Sequence, residues 1–203
     1  MVEGYRLGTP IICQPYDGWM SVDPAKLRIE IYPTEILRAK GADVEVNDET
    51  RAVAMRMVEL MRGAEGIGLA APQVGLSWRL FVAHVPVHEE DPVDAEIPCN
   101  TVEPQAFFNP KIVHFSEGLE PYDEGCLSLP GITGEVRRPS TVTMRALDIH
   151  GNQVEVRATG LLARCWQHEI DHLDGILILD KMSQMSRLKN RSRIKAMEKA
   201  GKR

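Results

Sequence analysis

The sequence predicts an α+β fold, and three observations carry that expectation. Short segments rich in β-branched and aromatic residues are joined by links of hairpin length, whereas longer segments repeat their apolar residues every three to four positions. With 203 residues, 43% of them hydrophobic, the chain can bury a sizeable core without disulfide staples. No internal repeat or low-complexity block divides it, so residues 1–203 read as one domain.

In chain order, residues 1–26 are rich in Pro, Gly and Asp and read as an extended arm packed on the surface. A strand is expected over 27–31. The stretch 48–62 reads as a helix, because Asn47 or Asp48 can cap it and Val53, Met57, Leu60 and Met61 fall on one side. Strands are expected at 79–85 and 107–115. Between them, the 86–104 segment holds six acids and four prolines and is longer than a compact connection needs. Its plain reading is a solvated insertion, and a flap or contact surface near a site is the alternative. Strands at 134–137, 141–149 and 153–157 follow, the last two joined as a hairpin through His150-Gly151-Asn152. A helix over 160–173 has Thr159 placed to cap it and Gly175 placed just past its end. A last helix spans 182–200 and is strongly basic, residues 181–203 carrying nine Lys/Arg against one acid, Glu198. The chain as a whole has a net charge of −5, so the acidic excess lies entirely in the residues before it. A charge run of this kind is commonly a solvated helix face.

No apolar run approaches the length that crosses a bilayer, and the first residues, MVEGYRLG, lack a basic-then-apolar export signal. Four unevenly spaced cysteines suit a reducing compartment better than a disulfide framework. A cytoplasmic protein is expected, with neither a membrane nor DNA as partner.

Chemistry is concentrated in His168-Glu169-Ile170-Asp171-His172. This H-E-x-x-H spacing puts two imidazoles on one helix face with a carboxylate beside them, the outline of a metal hydrolase site. Leu161, Cys165, His168 and His172 share that face. The third ligand decides the kind of hydrolase. The extended zinc-protease pattern H-E-x-x-H-x-x-G-x-x-H matches as far as Gly175, but Ile178 stands where its last His belongs. A thermolysin-like site needs a later Glu, and only Glu198, in the basic tail, follows Glu169.

Cysteine is the remaining ligand type. Cys165 lies about 7.5 Å along the helix axis from the midpoint of the two histidines, too far for a thiol whose metal bond is about 2.3 Å. Cys13 and Cys99 lie in loop sequence without chemical neighbours. Cys126 sits in Tyr122-Asp123-Glu124-Gly125-Cys126-Leu127-Ser128-Leu129-Pro130, a frame that presents one thiol on a short extended segment, although a small buried hydrophobe is by itself the commoner role of such a cysteine. A third segment, Gly66-Ile67-Gly68-Leu69-Ala70-Ala71-Pro72-Gln73-Val74-Gly75, contains G-x-G-x-x-A. A dinucleotide-binding turn must follow a strand and open a helix, but here a helix precedes and Pro72 follows. Close backbone approach to a ligand, with Gln73 as one side-chain donor, is the better reading. His84, His88, His114 and His150 have no partner motif and read as structural or solvated.

Taken together, GIGLAAPQVG, EGCLS and QHEIDH, in this order, resemble the three motifs of the peptide deformylases, from about Arg28 to the last helix. The resemblance implies mostly antiparallel sheets packed around a central metal-binding helix, with a C-terminal helix. It implies removal of the formyl group from the N-terminal formyl-methionine of nascent chains, with formate released. It assigns one divalent metal ion to Cys126, His168 and His172. Ferrous iron is the native ion by family habit, and a thiolate ligand also suits Zn, Ni or Co. Glu169 would act as general base and then acid. The Gln73 amide and the Leu127 N–H would be the oxyanion donors. The backbone of Ile67, Gly68 and Leu69 would run along the substrate, Gly68 leaving room for it, and Leu161 and Cys165 would wall the methionine pocket with Ile67 opposite. The basic C-terminal helix would contact ribosomal RNA. The competing readings are a metalloprotease cleaving internal peptide bonds and a noncatalytic, ribosome-associated metal-binding protein, which an intact Glu169 disfavours.

Overall fold

The computed structural model describes residues 21–87 and 96–201, so the expectations for most of the N-terminal arm, for Cys13 and His88, and for residues 88–95 of the 86–104 segment lie outside the described residues. Its strands are β1 (Gly68–Ala70), β2 (Leu80–Ala83), β3 (Gln105–Phe115), β4 (Glu120–Gly125), β5 (Thr133–Arg138), β6 (Thr141–Leu147) and β7 (Gln153–Thr159). Its helices are α1 (Asp48–Gly63), α2 (Gly160–Leu173), α3 (Ile178–Lys181) and α4 (Gln184–Ala200). Every strand pairing is antiparallel. A five-stranded sheet runs in the order β1-β2-β3-β6-β7, and β4 pairs with β5 in a separate two-stranded sheet. The α+β class expected from sequence is the one observed.

Strand β2 shows how the sheet is held. Its side chains alternate faces, as the period of two requires. Phe81 and Ala83 enter a core shared with Trp166, Leu162 and Leu173 of α2, while Leu80 and Val82 enter a second core with Val53, Met57 and Met61 of α1. The sheet is therefore buried on both faces here. Phe107 joins the first core edge-on to Trp166, with ring centroids 5.3 Å apart. A third core gathers Leu37, Leu129, Ile132, Val136, Leu177, Ile178 and Leu179 below the β4–β5 sheet, and Ile194 and Met197 of α4 pack against it.

Helix α2 has the expected bounds. Its end is a Schellman turn, in which Gly175 at φ 73° donates to His172 O and Ile176 donates to Asp171 O. A Cβ at Gly175 would also run into the Arg38 carbonyl, so both conformation and space require glycine there. Thr159 occupies the N-cap position, but its hydroxyl does not cap. The helix starts directly where β7 stops, and that hydroxyl serves the sheet end through Ser140 O and Thr141 Oγ1.

Four elements differ from expectation. Residues 27–31 form no strand. That segment crosses two loops instead, with Glu30 N–H donating to Gln73 O at 2.8 Å and Tyr32 N–H donating to Ser128 O at 3.0 Å, so its polar groups are met by loop carbonyls rather than by a ladder. Strand β1 was read only as a glycine-rich loop, and β4, whose residues are nearly all exposed and include Pro121, carries no alternating apolar signal. The short helix α3 was missed. The β6–β7 hairpin is as expected, its turn held by the Asp148 carboxylate accepting from the N–H groups of His150 and Asn152.

Helix α1 starts with a reciprocal cap in which Asn47 Oδ1 accepts the Thr50 N–H and Thr50 Oγ1 accepts the Asn47 N–H, each at 3.0 Å. Asn47→Ala is expected to lower stability by about 1 kcal/mol, read as a lower urea midpoint at unchanged m value.

Candidate metal and catalytic site

Helix α2 sets the frame. His168 and His172 stand one turn apart with ring centroids separated by 5.0 Å and planes inclined by 72°. Cys126 follows immediately from β4, and its Sγ lies 3.3 Å from His172 Nε2. One donor atom from each of Cys126, His168 and His172 lies within 4.8 Å of the others, the one such group of three among the described residues. The fold thus brings together the three ligands proposed from sequence. His84 is apart from them, bonded to Thr101 Oγ1.

Glu169 is buried, 4% exposed, and its Oε2 has no hydrogen-bond partner among the described residues. Burial pushes its carboxyl up, to about 7, in the absence of an ion. A nearby divalent cation would favour the ionised form. The Glu169 carboxylate lies against Gly68, since a Cβ on that residue would overlap Glu169 Oε1 and come 2.8 Å from Cys165 Sγ. The space on the side-chain face of Gly68 is therefore filled by the carboxylate and the thiol. Gly66 is similarly closed, a Cβ there falling 2.7 Å from the Leu127 side chain.

Cys165 is not a fourth ligand. Its Sγ donates to Ile67 O at 3.3 Å, and burial, with Glu169 nearby, pushes its thiol well above the usual range. Ile67 and Leu161 pack against the same core that holds Cys165. Leu69 differs, for its side chain is fully buried in the α1 core and only its backbone belongs to the sheet edge.

Gln73 lies in a short 3-10 turn (Ala71–Val74) that Gly75 ends at φ 86°. It is 1% exposed; its Oε1 accepts the Ala70 N–H at 2.8 Å, which points Nε2 toward Cys126 Sγ at 3.4 Å and Ser128 Oγ at 3.3 Å. Leu127 follows the cysteine, and the turn is closed by Leu129 N–H donating to Cys126 O.

The residue missed by sequence reasoning is Glu124, two positions before Cys126. It is 5% exposed and faces three cationic or ring donors. His168 Nδ1 approaches Oε2 at 3.0 Å, Arg138 Nε and Nη2 donate at 2.7 and 2.9 Å, and Arg164 Nη1 donates at 2.9 Å. Arg138 also donates to Asp171 at 2.7 Å, and Lys181 pairs with Asp171 at 3.1 Å. Burial works against the charge of Glu124, but His168 and Arg138 outweigh it and hold the carboxyl far below the ordinary range. A carboxylate at Nδ1 fixes which His168 nitrogen remains for an ion, the outer-sphere arrangement that metal-binding imidazoles commonly have. Burial pulls His168 down, yet its contacts with Cys126 and Glu124 raise it well above the usual imidazole range; burial keeps His172 neutral. Alternation on β5 was the available signal for Arg138, because it shares the buried face with Val136. Nothing in the sequence marks Arg164.

Residues 26–188 match the family described as polypeptide deformylase. The chain belongs to the peptide deformylase family. It is 43% identical over 164 residues to the peptide deformylase of Thermodesulfovibrio yellowstonii, covering 80% of this chain and 93% of that one. It is 41% identical over 175 residues to that of Phenylobacterium zucineum, covering 86% and 96%. The crystal structure of the Ehrlichia chaffeensis deformylase superposes with a TM-score of 0.78 at 36% identity, covering 86% of this chain and 98% of that one. The chain is thus a metal-dependent hydrolase that removes the formyl group from N-terminal formyl-methionine of nascent polypeptides. The protease and noncatalytic readings are not favoured.

For this deformylase, Gly68→Ala is expected to lower kcat for a formyl-methionyl peptide by about 10²-fold or more while leaving the bound ion in place, because the new methyl must displace the Glu169 carboxylate by roughly an ångström. Formate release and metal content on the same sample check it.

Proposed function

We propose that Cys126, His168 and His172 hold the ion and that Glu169 handles the proton. The observation that carries this reading is the buried, unpartnered Oε2 of Glu169 beside a thiol and two imidazoles. The donor set fits a divalent ion with a coordination position left for water. The ion would supply a water of lowered pKa and Lewis acidity toward the formyl oxygen. Glu169, held between Gly68 and α2, takes the water proton and returns it to the departing amine. Gln73 Nε2 and the Leu127 N–H are the donors for the developing oxyanion, and the Oε1 bond to Ala70 keeps the Gln73 amide from flipping. The free edge of β1, with Gly68 and Leu69, suits an extended peptide, and Ile67, Leu161 and Cys165 suit the methionine side chain.

Ferrous iron is the proposed native ion, with Ni, Co or Zn able to substitute; a thiolate among the ligands favours these softer ions. The chain is proposed to act in the cytoplasm, where formylated chains emerge, and no helix among the described residues is long and apolar enough to cross a membrane. Residues 1–203 are read as one catalytic unit, with 1–26 an N-terminal extension and 86–104 an insertion.

Ribosomal RNA is the proposed partner of α4. Lys189, Arg191, Lys195 and Lys199 are exposed there, whereas Ile194, Met197 and Glu198 face the body, Glu198 accepting from Tyr32 Oη at 3.0 Å. Deleting the helix would therefore also strip packing from the third core, and charge reversal is the cleaner test. Replacing Lys189, Arg191, Lys195 and Lys199 by Glu is expected to abolish salt-dependent cosedimentation with ribosomes while formyl-tripeptide turnover holds; retained cosedimentation would refute the contact.

The activity test is anaerobic formate release from formyl-Met-Ala-Ser with Fe(II) or Ni(II) loaded. Glu169→Ala is expected to keep the ion and lose about 10²–10⁴-fold in turnover. Normal turnover in that variant would remove Glu169 from the proton-handling role.

A further inference from the structure

The far end of the loop that carries Cys126 and Leu127, and the start of β5 that follows it, are strapped by α4 and its N-cap residue. Past the cysteine, Arg193 Nη1 donates to Gly131 O, and Asn190 Nδ2 donates to Thr133 O at 2.7 Å. Ser186 Oγ accepts the Glu135 N–H at 3.0 Å, and Ser183 N–H donates to Glu135 O at 2.9 Å. A Cβ at Gly134 would lie 3.0 Å from both Met182 Cε and Ser186 Cβ, so the strand and the helix start are in close contact. Beneath the loop, Leu129 and Ile132 share the third core with Ile194 and Met197 of α4, and Cys126 packs against it. A second strap is indirect. Tyr32 donates its backbone N–H to Ser128 O at 3.0 Å and its hydroxyl to Glu198 at 3.0 Å, so α4 reaches the residue two positions after Cys126 through one side chain.

From these contacts we infer that Asn190 and Arg193 are positioning residues for the reaction: they fix the backbone of 126–133 and so hold the Cys126 thiol and the Leu127 N–H in register with α2. Both lie beyond residue 188, where the family match ends, so this support is a property of the chain outside the matched region. His168 and His172 need no such help, because they sit on a helix whose apolar residues, Leu162, Trp166, Ile170 and Leu173, are buried in the first core. Cys126 stands on a loop whose preceding strand is exposed and which contains a glycine, Gly131, at φ 71°. A thiolate ligand is retained only as well as its backbone is held, in the manner of outer-sphere groups around metal sites.

This inference rests on Cys126 being an ion ligand, and the test separates the two. With Co(II) bound, wild-type protein should show a thiolate-to-cobalt charge-transfer band, and release of the ion to excess EDTA can be timed by its decay. The Asn190→Ala/Arg193→Ala double variant is expected to release Co(II) about tenfold faster and to lose kcat with KM changed less than about twofold. Arg193→Lys, which keeps a donor, should recover part of the difference. Tyr32→Phe, which leaves α4 and the loop intact, should shift release in the same direction by less. Arg51→Ala is the control, because Arg51 also donates from a helix surface to a backbone carbonyl, Ile149 O at 2.9 Å, remote from the loop. Wild-type release rate and kcat in the double variant, or equal acceleration in Arg51→Ala, would overturn the inference. Absence of the band in wild type would overturn the assignment of Cys126, and this inference with it.

Discussion

The site depends on keeping one carboxylate, Glu124, ionised in the interior. Removing a carboxylate from water is costly, and it stays charged only where several good donors replace the lost hydration. Glu124 has them: two nitrogens of Arg138, one of Arg164, and the His168 ring. Each donor arrives from a different place in the fold, Arg138 from the end of β5 and Arg164 and His168 from successive turns of α2. The requirement that all of them converge fixes the angle between the β4–β5 sheet and α2. Cys126 lies two residues beyond Glu124 on the same strand end, so fixing that angle also fixes where the thiol meets the imidazoles. The network extends outward through Asp171 to Lys181 on α3, which ties the turn after α2 to the same point.

Around that hub the site is built by exclusion of volume as much as by hydrogen bonds. Gly66 and Gly68 are occupied in space by the side chains of Leu127 and Glu169, one from each of the other two motifs. The three motifs, distant in sequence, thus interlock at atomic contact, with glycine as the residue that permits it. Gln73 closes the same triangle, its Oε1 tied to the GIGLAAPQVG backbone and its Nε2 turned to the EGCLS loop. Such a site is rigid because each motif is the wall of another.

What the sequence showed was decided by locality. The helix bounds of α2, its C-terminal glycine and the paired histidines follow from spacing within a dozen residues, and the structure has them in place. The strand expected at 27–31 failed because its apolar residues, Leu27 and Ile29, do pack into a core while its backbone finds loop carbonyls instead of a neighbour strand, a choice local pattern cannot reveal. Strand β4 was invisible for the opposite reason, being largely exposed with Glu124 its one buried residue. The contact of Gly68 with Glu169 was not legible because that neighbour is about a hundred residues away in sequence.

The basic C-terminal helix shows most clearly what a charge count leaves out. Its arginines and lysines look equivalent along the chain, yet their chemistry divides them. Arg187 and Arg193 spend planar guanidinium donors on backbone carbonyls, Leu179 O and Gly131 O, a role a rigid fork performs well and one that fixes the helix to the body. The lysines at 189, 195 and 199 are exposed, compact charges on flexible stems, suited to a diffuse phosphate field rather than to a fixed acceptor. One helix therefore carries two sets of cations, arginines that fix it to the body and lysines that face solvent. A net charge taken over the whole helix overstates what is free to bind and understates what holds the site together.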